Sequence, residues 1–390
     1  MSRQIEGEGV ELPLSQLGAD AWQLEPRGVS TIFAKIKAAG VPLAEYAGVK
    51  PLMGIKTGFN DAFLIDTETR NRLVAGDPGC DEVIRPYVRG QDIGRWQSNW
   101  AGLWMVVLKS SGDHAWPWSD AGDDAEAVFQ QAYPSLHAWF RPMEDALRKR
   151  QDKGRNWWEL RSCAYWQEFE KPKIVYQEIQ FHSSYAVDNA GQYGNNKTFF
   201  IACADPYLLA VLNSPLAWWY NWRYLPHMKD EALSPVGFLM ESLPIARPSD
   251  AIRCKTETAV NRVVAIAGKQ QETRRVILDW LRLQYEIEKL SLKLQSPIDL
   301  DSDGFVAEVA KVRGKKKSLT AAALRALRDE HAQTIAPARK LAAEVLTLEN
   351  AISNLVNEAY CLTPAEVAML WETAPPRMPI RGPQPADASP

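Results

Sequence analysis

The sequence predicts an α+β fold in two domains: a mixed-strand domain followed by an antiparallel, coiled-coil-like helical domain. Across residues 48–248, short β-type runs mix with helical patches and turn residues, without the regular alternation of a doubly wound sheet. From about Thr256 onward, apolar residues recur at helical spacing and the strand signals stop. Twelve of the fifteen tryptophans lie between Trp96 and Trp222, which indicates a large aromatic core or platforms for flat ligands in the first domain.

Composition divides the chain into four segments. They are a leader at 1–47, the strand-rich domain at 48–248, the helical domain at 249–372 and a tail at 373–390. The leader contains one predicted helix, Thr31–Ala39, which Gly40 and Pro42 end. The tail has six prolines and is predicted to be disordered.

Turn residues place the elements of the strand-rich domain. The predicted strands are Ala62–Asp66, Leu103–Leu108, Lys173–Ile179 and Thr198–Cys203, and the predicted helices are Ala125–Arg150 and Pro206–Tyr220. Asp188-Asn189-Ala190-Gly191 is typical of a tight turn. It predicts a β-hairpin that joins Ser184–Val187 to the run ending at Ile201.

Two stretches of the helical domain carry apolar residues at alternating steps of four and three. The first contains Val276, Trp280, Leu283, Ile287, Leu290 and Leu294, and the second contains Leu341, Val345, Leu348, Ile352, Leu355 and Ala359. This rhythm is typical of the seam between paired helices, so the two stretches are predicted to pack antiparallel within the chain. Dimerisation through the same helices is the alternative.

The overall composition excludes several classes of protein. With 46% hydrophobic residues, 24% charged residues and a net charge of −3, most of the chain is neither disordered nor fibrous. Its apolar runs are much shorter than the roughly 18 residues of a membrane span, and its first residues lack the apolar core of a signal peptide. Five scattered cysteines without a Cys-x-x-Cys pair argue against a disulfide framework or a zinc site and favour a cytoplasmic location.

Catalytic signatures are missing from the sequence. It has no phosphate-binding loop, no nucleophile elbow and no His-Glu-x-x-His helix, and Gly7-Glu8-Gly9 follows no strand. Asp205-Pro206-Tyr207 and Asn213-Ser214-Pro215 only partly match the Asn/Asp-Pro-Pro-Tyr/Phe motif of adenine methyltransferases, and we interpret both as helix starts. Glu178 lacks the nearby lysine of a metal nuclease. We therefore predict no catalytic residue, no metal site and no cofactor in this chain.

Two polar loops indicate contact with nucleic acid. The glycine-bounded loop Gly54–Asn60 carries Lys56, Thr57 and Asn60, and its glycines allow a close approach of the backbone to a ligand. The segment Arg85–Trp96 spaces three arginines around a turn. Cations suit phosphate contacts, whereas short polar side chains suit base edges.

A third basic segment extends from Arg148 to Arg161. It combines six cations, Lys153 and Arg155 among them, with the adjacent rings of Trp157 and Trp158. Basic residues among aromatic rings suit a nucleic-acid groove, whereas a solvated helix end with two core tryptophans is the structural alternative. Because the net charge is −3, any binding face must be local and would need help from a partner module.

Segments spread over roughly residues 10–372 resemble, in the same order, the motifs of a known family. They are GIKTGFNDAFLID at 54–66, IRPYVRGQDI at 84–93, KPKIVYQEI at 171–179, GNNKTFFI at 194–201, LAVLNSPLAWWY at 209–220, ESLPI at 241–245 and LVNEAYCLTPAE at 355–366. They resemble the TaqI-like C-terminal specificity domain, the DNA-recognition part of adenine-N6 DNA methyltransferases and of fused restriction–modification enzymes. Because several matches occur in register, the resemblance is specific.

The resemblance implies recognition without methyl transfer. Enzymes of this kind carry their S-adenosylmethionine loop and Asn-Pro-Pro-Tyr motif ahead of the specificity domain, and this sequence contains neither. The chain is therefore expected to be either a fragment or a separate specificity subunit, with S-adenosylmethionine bound by a methyltransferase partner or a missing domain. Whether the chain belongs to an enzyme stays open at this point.

The predicted function is sequence-specific recognition of double-stranded DNA within a restriction–modification or phage-defence adenine-N6 methyltransferase. The candidate contact residues are Lys56, Thr57 and Asn60 for bases, Arg89, Arg95, Lys153 and Arg155 for phosphates, Trp157 or Trp158 as a wedge or stacking platform, and Asn196 and Lys197 from the run 194–201. One alternative is a fragment of a complete methyltransferase or endonuclease. Another is a protein-interaction subunit that uses the paired helices.

Overall fold

The computed structural model describes residues 25–314 and 319–382, and the chain divides into two compact units. The first unit contains the residues up to Ser249 and those from Val356 onward, and the second contains residues 250–355. The strands lie in the first unit, whereas the second is helical, as the predicted α+β class requires. Residues 356–372, which the sequence analysis groups with the helical domain, belong to the first unit.

The described elements alternate irregularly along the first unit and are helical in the second. The strands are β1 (Gly40–Pro42), β2 (Leu52–Met53), β3 (Leu64–Asp66), β4 (Ile84–Val88), β5 (Trp96–Gln97), β6 (Leu103–Val106), β7 (Lys173–Gln177), β8 (Tyr185–Asp188), β9 (Tyr193–Gly194), β10 (Thr198–Ile201) and β11 (Pro244–Ala246). The helices are α1 (Arg27–Ala39), α2 (Leu43–Ala47), α3 (Asn60–Phe63), α4 (Thr67–Gly76), α5 (Ala125–Ala132), α6 (Pro134–Phe140), α7 (Glu144–Lys149), α8 (Pro206–Leu212), α9 (Pro215–Tyr224), α10 (Gly237–Met240), α11 (Asp250–Tyr285), α12 (Ser302–Arg313), α13 (Ala321–Glu330), α14 (Ala336–Ala359) and α15 (Pro364–Glu372). None of these helices is long and apolar enough to cross a membrane.

Two mixed sheets and one strand pair organise the first unit. The five-stranded sheet has the order β2-β10-β7-β8-β5, the four-stranded sheet has the order β3-β6-β4-β9, and β1 pairs with β11. The β5–β8 and β4–β9 pairs are parallel, whereas the other pairs are antiparallel. Parallel and antiparallel pairs within one sheet are what the irregular order of elements in the sequence predicts.

The predicted hairpin at Asp188–Gly191 is wrong. β8 pairs with β7 and β5 in the five-stranded sheet, whereas β9 pairs with β4 in the four-stranded sheet. The turn residues are present, because the Asp188 carboxylate accepts hydrogen bonds from the backbone N–H groups of Ala190 and Gln192 at 2.8 Å. The turn therefore sends the chain from one sheet to the other instead of reversing it within one sheet.

A buried ion pair holds the base of this crossing. Lys173 Nζ lies 2.5 Å from the Asp188 carboxylate, and both side chains are 1% exposed. The ammonium group also donates to the carbonyl of Phe169. Burial lowers the pKa of Lys173, and the charge of Asp188 opposes that shift. Because both charges are paired and hydrogen-bonded, the cost of their desolvation is largely offset.

Aromatic rings fill the core of the first unit, as the tryptophan content predicts. The Trp118 ring stacks on Trp116 at 4.9 Å, and Phe129 stacks on Trp158 at the same centroid distance. Offset stacking and edge contacts of this kind add to the stability from buried apolar area. The rings pack between the four-stranded sheet and helices α5 and α6.

The first and last described segments of the first unit pack within it. In α1, which contains the predicted helix Thr31–Ala39, Lys35 forms an ion pair with Glu366 of α15 at 2.7 Å. The prediction of disorder is wrong for residues 373–382, here called the C-terminal strap. The Trp218 indole donates to the carbonyl of Pro376 at 2.9 Å, and Ile380 is buried. The leader residues 1–24 and the tail residues 383–390 lie outside the described part of the chain.

Two long helices of the second unit run antiparallel. The Arg262 guanidinium of α11 makes two hydrogen bonds to the Glu344 carboxylate of α14, at 2.6 and 2.9 Å. Further along α11, the Gln270 amide donates to the carbonyl of Ala338, which precedes Glu344 on α14. Residue numbers rise along one helix where they fall along the other, so the two helices are antiparallel. The contacts on α11 come from residues ahead of the predicted stretch 276–294, and they do not confirm the predicted pairing of the two stretches.

The predicted seam is wrong in the first of the two stretches. Helix α11 ends at Tyr285, and Val276 and Leu283 are 46% and 78% exposed. The buried positions are Ile277, Leu281 and Tyr285, which pack with residues of α12 and α13. A shift of one position turns a helix face by 100°, so Val276 and Leu283 face solvent within this unit. Ile287 and Leu294 follow the end of the helix and are buried in the same cluster.

We predict that Lys173→Met lowers the free energy of unfolding by about 3–5 kcal/mol, because it leaves the Asp188 carboxylate buried without its counter-ion. Urea unfolding followed by tryptophan fluorescence measures this change. The matched control is Lys171→Met, which removes an exposed ion pair with Glu168 and should cost less than about 1 kcal/mol. Equal losses in the two variants would contradict the structural importance of the buried pair.

Candidate nucleic-acid interface

A surface groove of about 540 Å³ opens where the two sheets of the first unit approach each other. Residues of β3, β4 and β6 from the four-stranded sheet line it, together with the end of β7 and the β9–β10 turn. Three predicted contact residues from separate sequence motifs meet here, namely Asn60, Arg89 and Lys197. The groove is the feature of the first unit that best gathers the sequence-predicted polar residues.

Backbone contacts bring these motifs together. The N–H of Gly54 donates to the carbonyl of Thr198 at 2.9 Å, and the N–H of Ile55 donates to that of Gly194 at 2.7 Å. A side chain at Gly54 would collide with the Gly194 and Asn195 carbonyls, so the close approach requires glycine there. The loop 54–60 is thereby held against the β9–β10 turn, with Asn195 and Lys197 beside it.

The loop 54–60 presents Asn60 through an internal hydrogen bond. The Thr57 hydroxyl is buried and donates to Asn60 Oδ1 at 2.6 Å. Asn60 itself is exposed at the start of α3 and lines the groove. Thr57 thus orients the amide of Asn60, and a base contact by Thr57 itself, which the sequence predicts, does not fit its burial.

Two cations line the groove, each beside a carboxylate. The Arg89 guanidinium forms a two-point ion pair with Asp92 at 2.7 and 2.8 Å, and this hydrogen bonding raises its pKa. Lys197 Nζ lies 2.8 Å from the Glu178 carboxylate and is largely exposed. Both cationic side chains remain open to solvent on one side, beside the carboxylates that pair with them.

The buried guanidinium of Arg150 ties the loop 54–60 to the basic segment. It donates to the carbonyls of Thr57 at 2.7 Å and Trp157 at 2.9 Å, and also to that of Glu159. Burial lowers its pKa to about 10, so it stays protonated at neutral pH. Because its donors are used inside the protein, Arg150 belongs to the framework of the site and not to its surface.

A basic patch lies beside the buried Arg150, and two of its cations pair with one carboxylate. Lys56 and Arg161 both form ion pairs with Asp152, at 3.1 and 3.3 Å. Lys153, which donates to the carbonyl of Arg150, and Arg155 are exposed on the same turn. We call Lys56, Lys153, Arg155 and Arg161 the basic patch. Two of the four cations pair with the single carboxylate of Asp152, which leaves the patch a local positive charge that suits phosphate groups.

The aromatic wedge predicted at Trp157 and Trp158 is wrong. Both rings are buried in the aromatic core, and the Trp157 indole donates to Glu126 at 3.2 Å. Trp158 stacks on Phe129 inside the domain. The structural alternative, a turn with two core tryptophans, is the observed one, because rings packed on other rings cannot reach a ligand.

The phosphate contact predicted for Arg95 also disagrees with the structure. Its guanidinium donates to the carbonyl of Pro379 at 2.8 Å and to that of Asn213 at 3.1 Å. Arg95 therefore anchors the C-terminal strap. Asn196 is half-buried on the β9–β10 turn, and its neighbour Asn195 lines the groove instead.

The amide side chains of the groove were not among the predicted contacts. Gln91, Gln177 and Asn195 line it, and each lies within one of the recognised motifs. An amide offers one donor and one acceptor side by side, which suits adenine in the major groove. The available signal was that Gln177 ends β7 and Asn195 directly follows β9, since side chains at strand ends project from a sheet edge.

The partial catalytic motifs have structural roles, as interpreted from the sequence. The Asp205 carboxylate caps α8 by accepting from the N–H groups of Tyr207 and Leu208. The buried Asn213 amide exchanges two hydrogen bonds with the backbone of Tyr185. Among the described residues, no three histidine, cysteine or acidic side chains gather as a metal site would require.

Comparison with known proteins finds a family model that matches part of each unit. Residues 85–245 match the family model of the TaqI-like C-terminal specificity domain, and residues 249–356 match a domain of unknown function, DUF8810. No curated protein matches the chain significantly. Among solved structures, the chain is similar to the Type IIL restriction–modification enzyme MmeI in complex with DNA. That match has 13% identity and a TM-score of 0.47, and it covers 83% of this chain and 35% of the other.

Residues 85–245 are thus similar to the TaqI-like specificity domain, which confirms the resemblance drawn from the motifs within that range. The groove residues Arg89 and Lys197 lie within the matched range, whereas the motifs at 54–66 and 355–366 lie outside it. The loop 54–60 is nevertheless bonded to the matched part through Gly54 and Ile55. The chain spans about a third of the length of the similar solved chain.

We predict that Arg150→Lys lowers the free energy of unfolding by about 2–4 kcal/mol, because one ammonium group cannot serve all the buried carbonyls that the guanidinium serves. Urea unfolding measures the loss, and faster amide hydrogen exchange in residues 54–60 should accompany it. Arg148→Lys is the control, because Arg148 is exposed and pairs with Glu144 at the surface. Normal exchange protection of the loop in Arg150→Lys would contradict the role of Arg150 in holding the loop 54–60.

Proposed function

We propose that the first unit is the DNA target-recognition module of a restriction–modification system acting on adenine N6. One observation carries the proposal: Asn60, Arg89 and Lys197, from three distant motifs, line one groove of a TaqI-like specificity domain together with amide side chains. Amides and cations side by side match the donors and acceptors of base edges in the major groove. The module would act in the cytoplasm, as part of a restriction barrier in phage defence.

The groove and the basic patch differ in their charge balance, which suggests two different contacts with DNA. Inside the groove, the Arg89 and Lys197 charges are balanced by neighbouring carboxylates, so the groove favours hydrogen-bond readout over general attraction to phosphate. The basic patch, which begins at Lys56 on the same loop as Asn60, has an excess of cations. We propose that the patch holds the phosphate backbone while the groove reads bases.

Methyl transfer would require a second component in this proposal. S-adenosylmethionine would be bound by a methyltransferase domain or subunit. The two residues of this chain that partly match the methyltransferase motif, Asp205 and Asn213, are occupied by hydrogen bonds within the fold. The duplex would then lie between that component and the groove, with the target adenine turned out of the helix toward the catalytic side. A groove with little net charge would bind DNA weakly until that component holds the other side of the duplex.

The second unit supports a further candidate role, interaction with a protein partner. Val276 and Leu283 lie two turns apart on α11 and are exposed, so the unit leaves an apolar stripe on this helix uncovered within itself. A catalytic subunit or a second copy of the chain would cover it. Light scattering of the chain and of Leu283→Glu tests self-association, and a monomer in both cases would favour a different partner.

The first experiment selects DNA from a pool of randomised duplexes with the full chain at low and moderate salt. The expected result is recovery of one short motif. Retention of duplexes without any enriched sequence would contradict sequence-specific recognition by this chain alone, and no retention would contradict DNA binding.

We predict that Asn60→Ala changes the selected sequence at one base pair and costs about 1–3 kcal/mol of discrimination there. The reason is that its amide is oriented into the groove by Thr57. Repeating the selection with the variant measures the change. An unaltered motif together with an unaltered affinity would exclude Asn60 as a base contact.

We predict that Arg155→Ala weakens binding to all sequences alike and reduces the slope of log K against log salt by about one, because one phosphate contact is lost. Titrations at several salt concentrations give the slope. The control is Arg247→Ala, which removes an exposed arginine elsewhere in the first unit that pairs with Glu45. Identical slopes for the two variants would remove Arg155 from the phosphate-contact surface.

A further inference from the structure

An exposed apolar strip extends from one end of the groove. Ile179 and Phe181 follow β7 and are 38% and 43% exposed, whereas Gln180 between them is 2% exposed. Gln180 therefore faces inward, whereas the apolar side chains on either side of it reach solvent. Ile179 also lines the groove, next to Gln177 and Glu178. The strip is therefore continuous with the groove wall.

A neighbouring loop pairs with this segment and adds a third apolar side chain. Gln180 exchanges two backbone hydrogen bonds with Leu233, at 2.8 and 2.9 Å. Leu233 belongs to a tight reversal of the chain in which the N–H of Met228 donates to the carbonyl of Ala232 at 2.7 Å. Met228 is exposed on the outer arm. We call Ile179, Phe181 and Met228 the apolar ridge.

The reversal behind the ridge is strained and externally braced. Asp230 and Glu231 both have φ near +60°, a left-handed conformation that non-glycine residues rarely adopt. The Arg377 guanidinium donates to the carbonyl of Asp230 at 3.2 Å and to that of Glu231 at 3.4 Å. Its central carbon also lies 5.4 Å from the centre of the Phe181 ring. One side chain thus supports both the strained turn and the exposed ring.

The brace comes from the C-terminal strap, which is fixed on both sides of Arg377. The carbonyl of Pro376 accepts from the Trp218 indole, and the carbonyl of Pro379 accepts from Arg95. Ordering an exposed chain end costs conformational entropy. The strap offsets that cost with hydrogen bonds to buried side chains, and the ridge is held in place as a result.

Charges around the ridge disfavour phosphate as its target. Asp230 and Glu231 are exposed at the tip of the turn, where the exposed residues Lys229 and Arg377 supply two opposite charges. Partial burial, with the Arg95 and Arg377 charges nearby, lowers the pKa of His182 beside Phe181, so the imidazole is neutral at pH 7. The exposed turn carries equal numbers of cations and carboxylates beside the apolar ridge, and such a surface fits the faces of bases better than the DNA backbone.

We infer that the apolar ridge is a second DNA-contacting element, which packs Phe181 against a base step of the duplex at the end of the groove. The inference rests on the proposed function, because the occupant of the ridge is the duplex that the groove binds. Apolar side chains that press on a base step partly unstack it. Arg377 is then a positioning residue, which acts through Phe181 and the turn at Asp230.

The test uses the duplex recovered from the randomised pool, with 2-aminopurine placed in turn at each position within and beside the enriched motif. The fluorescence of 2-aminopurine rises when its stacking is lost. The wild-type chain is expected to raise it at one step. Phe181→Ser should abolish the rise and weaken binding about tenfold, with the salt slope unchanged because no phosphate contact is lost. Phe238→Ser is the matched control, because Phe238 is 72% exposed in α10 of the same unit and does not line the groove.

Two further variants separate the ridge from general damage to the fold. Met228→Ser should lower the fluorescence rise without changing the urea midpoint, since Met228 is exposed. Arg377→Gln should also lower the rise, and Arg377→Lys should restore part of it by keeping a charged donor. A merely structural role for Arg377 would move the urea midpoint and leave the fluorescence rise intact.

The possible outcomes separate the two proposals. If the wild-type chain enriches a motif but raises the fluorescence at no position, or if Phe181→Ser behaves like Phe238→Ser, the ridge is not a DNA contact and the groove proposal stands. If the chain enriches no motif and retains no duplex, the proposed function fails and the ridge inference fails with it.

Discussion

The first unit depends on the buried ion pair between Lys173 and Asp188. The pair stands where the chain leaves the five-stranded sheet and enters the four-stranded one. The same carboxylate accepts two backbone N–H groups of the turn, so one side chain sets both the end of β8 and the direction of β9. The groove exists where the two sheets lie side by side, and this crossing is one of several at which the chain passes between them. A buried charge that is fully hydrogen-bonded favours one path of the chain over its competitors.

Local sequence signals predicted much of the fold. Glycine and proline marked the end of α1, and an aspartate and a serine marked the starts of α8 and α9, because these residues act through their nearest neighbours in the chain. The hairpin at Asp188 could not be predicted correctly. The turn residues are the same for a hairpin and for a change of sheet, and the choice depends on Lys173, which is distant in sequence from the turn. The helical seam failed for a similar reason, since α12 and α13 decide which face of α11 is buried.

The candidate site shows the same division. Asn60, Arg89 and Lys197 could be chosen from the sequence because each sits in a polar motif beside glycine or a strand end. Trp157 and Trp158 could not be separated from a stacking platform, because a ring in a basic segment looks the same whether it faces water or Phe129. Arg95 and Arg150 were indistinguishable from surface cations for the same reason. Their acceptors are backbone carbonyls, which leave no mark in the amino-acid sequence.

Gly54 at the junction of the groove separates its framework from its contents. A side chain there would collide with the carbonyls of Gly194 and Asn195, so the 54–60 loop and the β9–β10 turn meet backbone to backbone. Buried Ile65 and Tyr87 form part of the groove wall, whereas Asn60 and Lys197 are exposed and carry little of the packing. Substitutions at those side chains can accumulate in descendants of this protein without unfolding it. Such a surface is suited to rapid divergence, in which a lineage acquires a new target by a few changes and keeps the old scaffold.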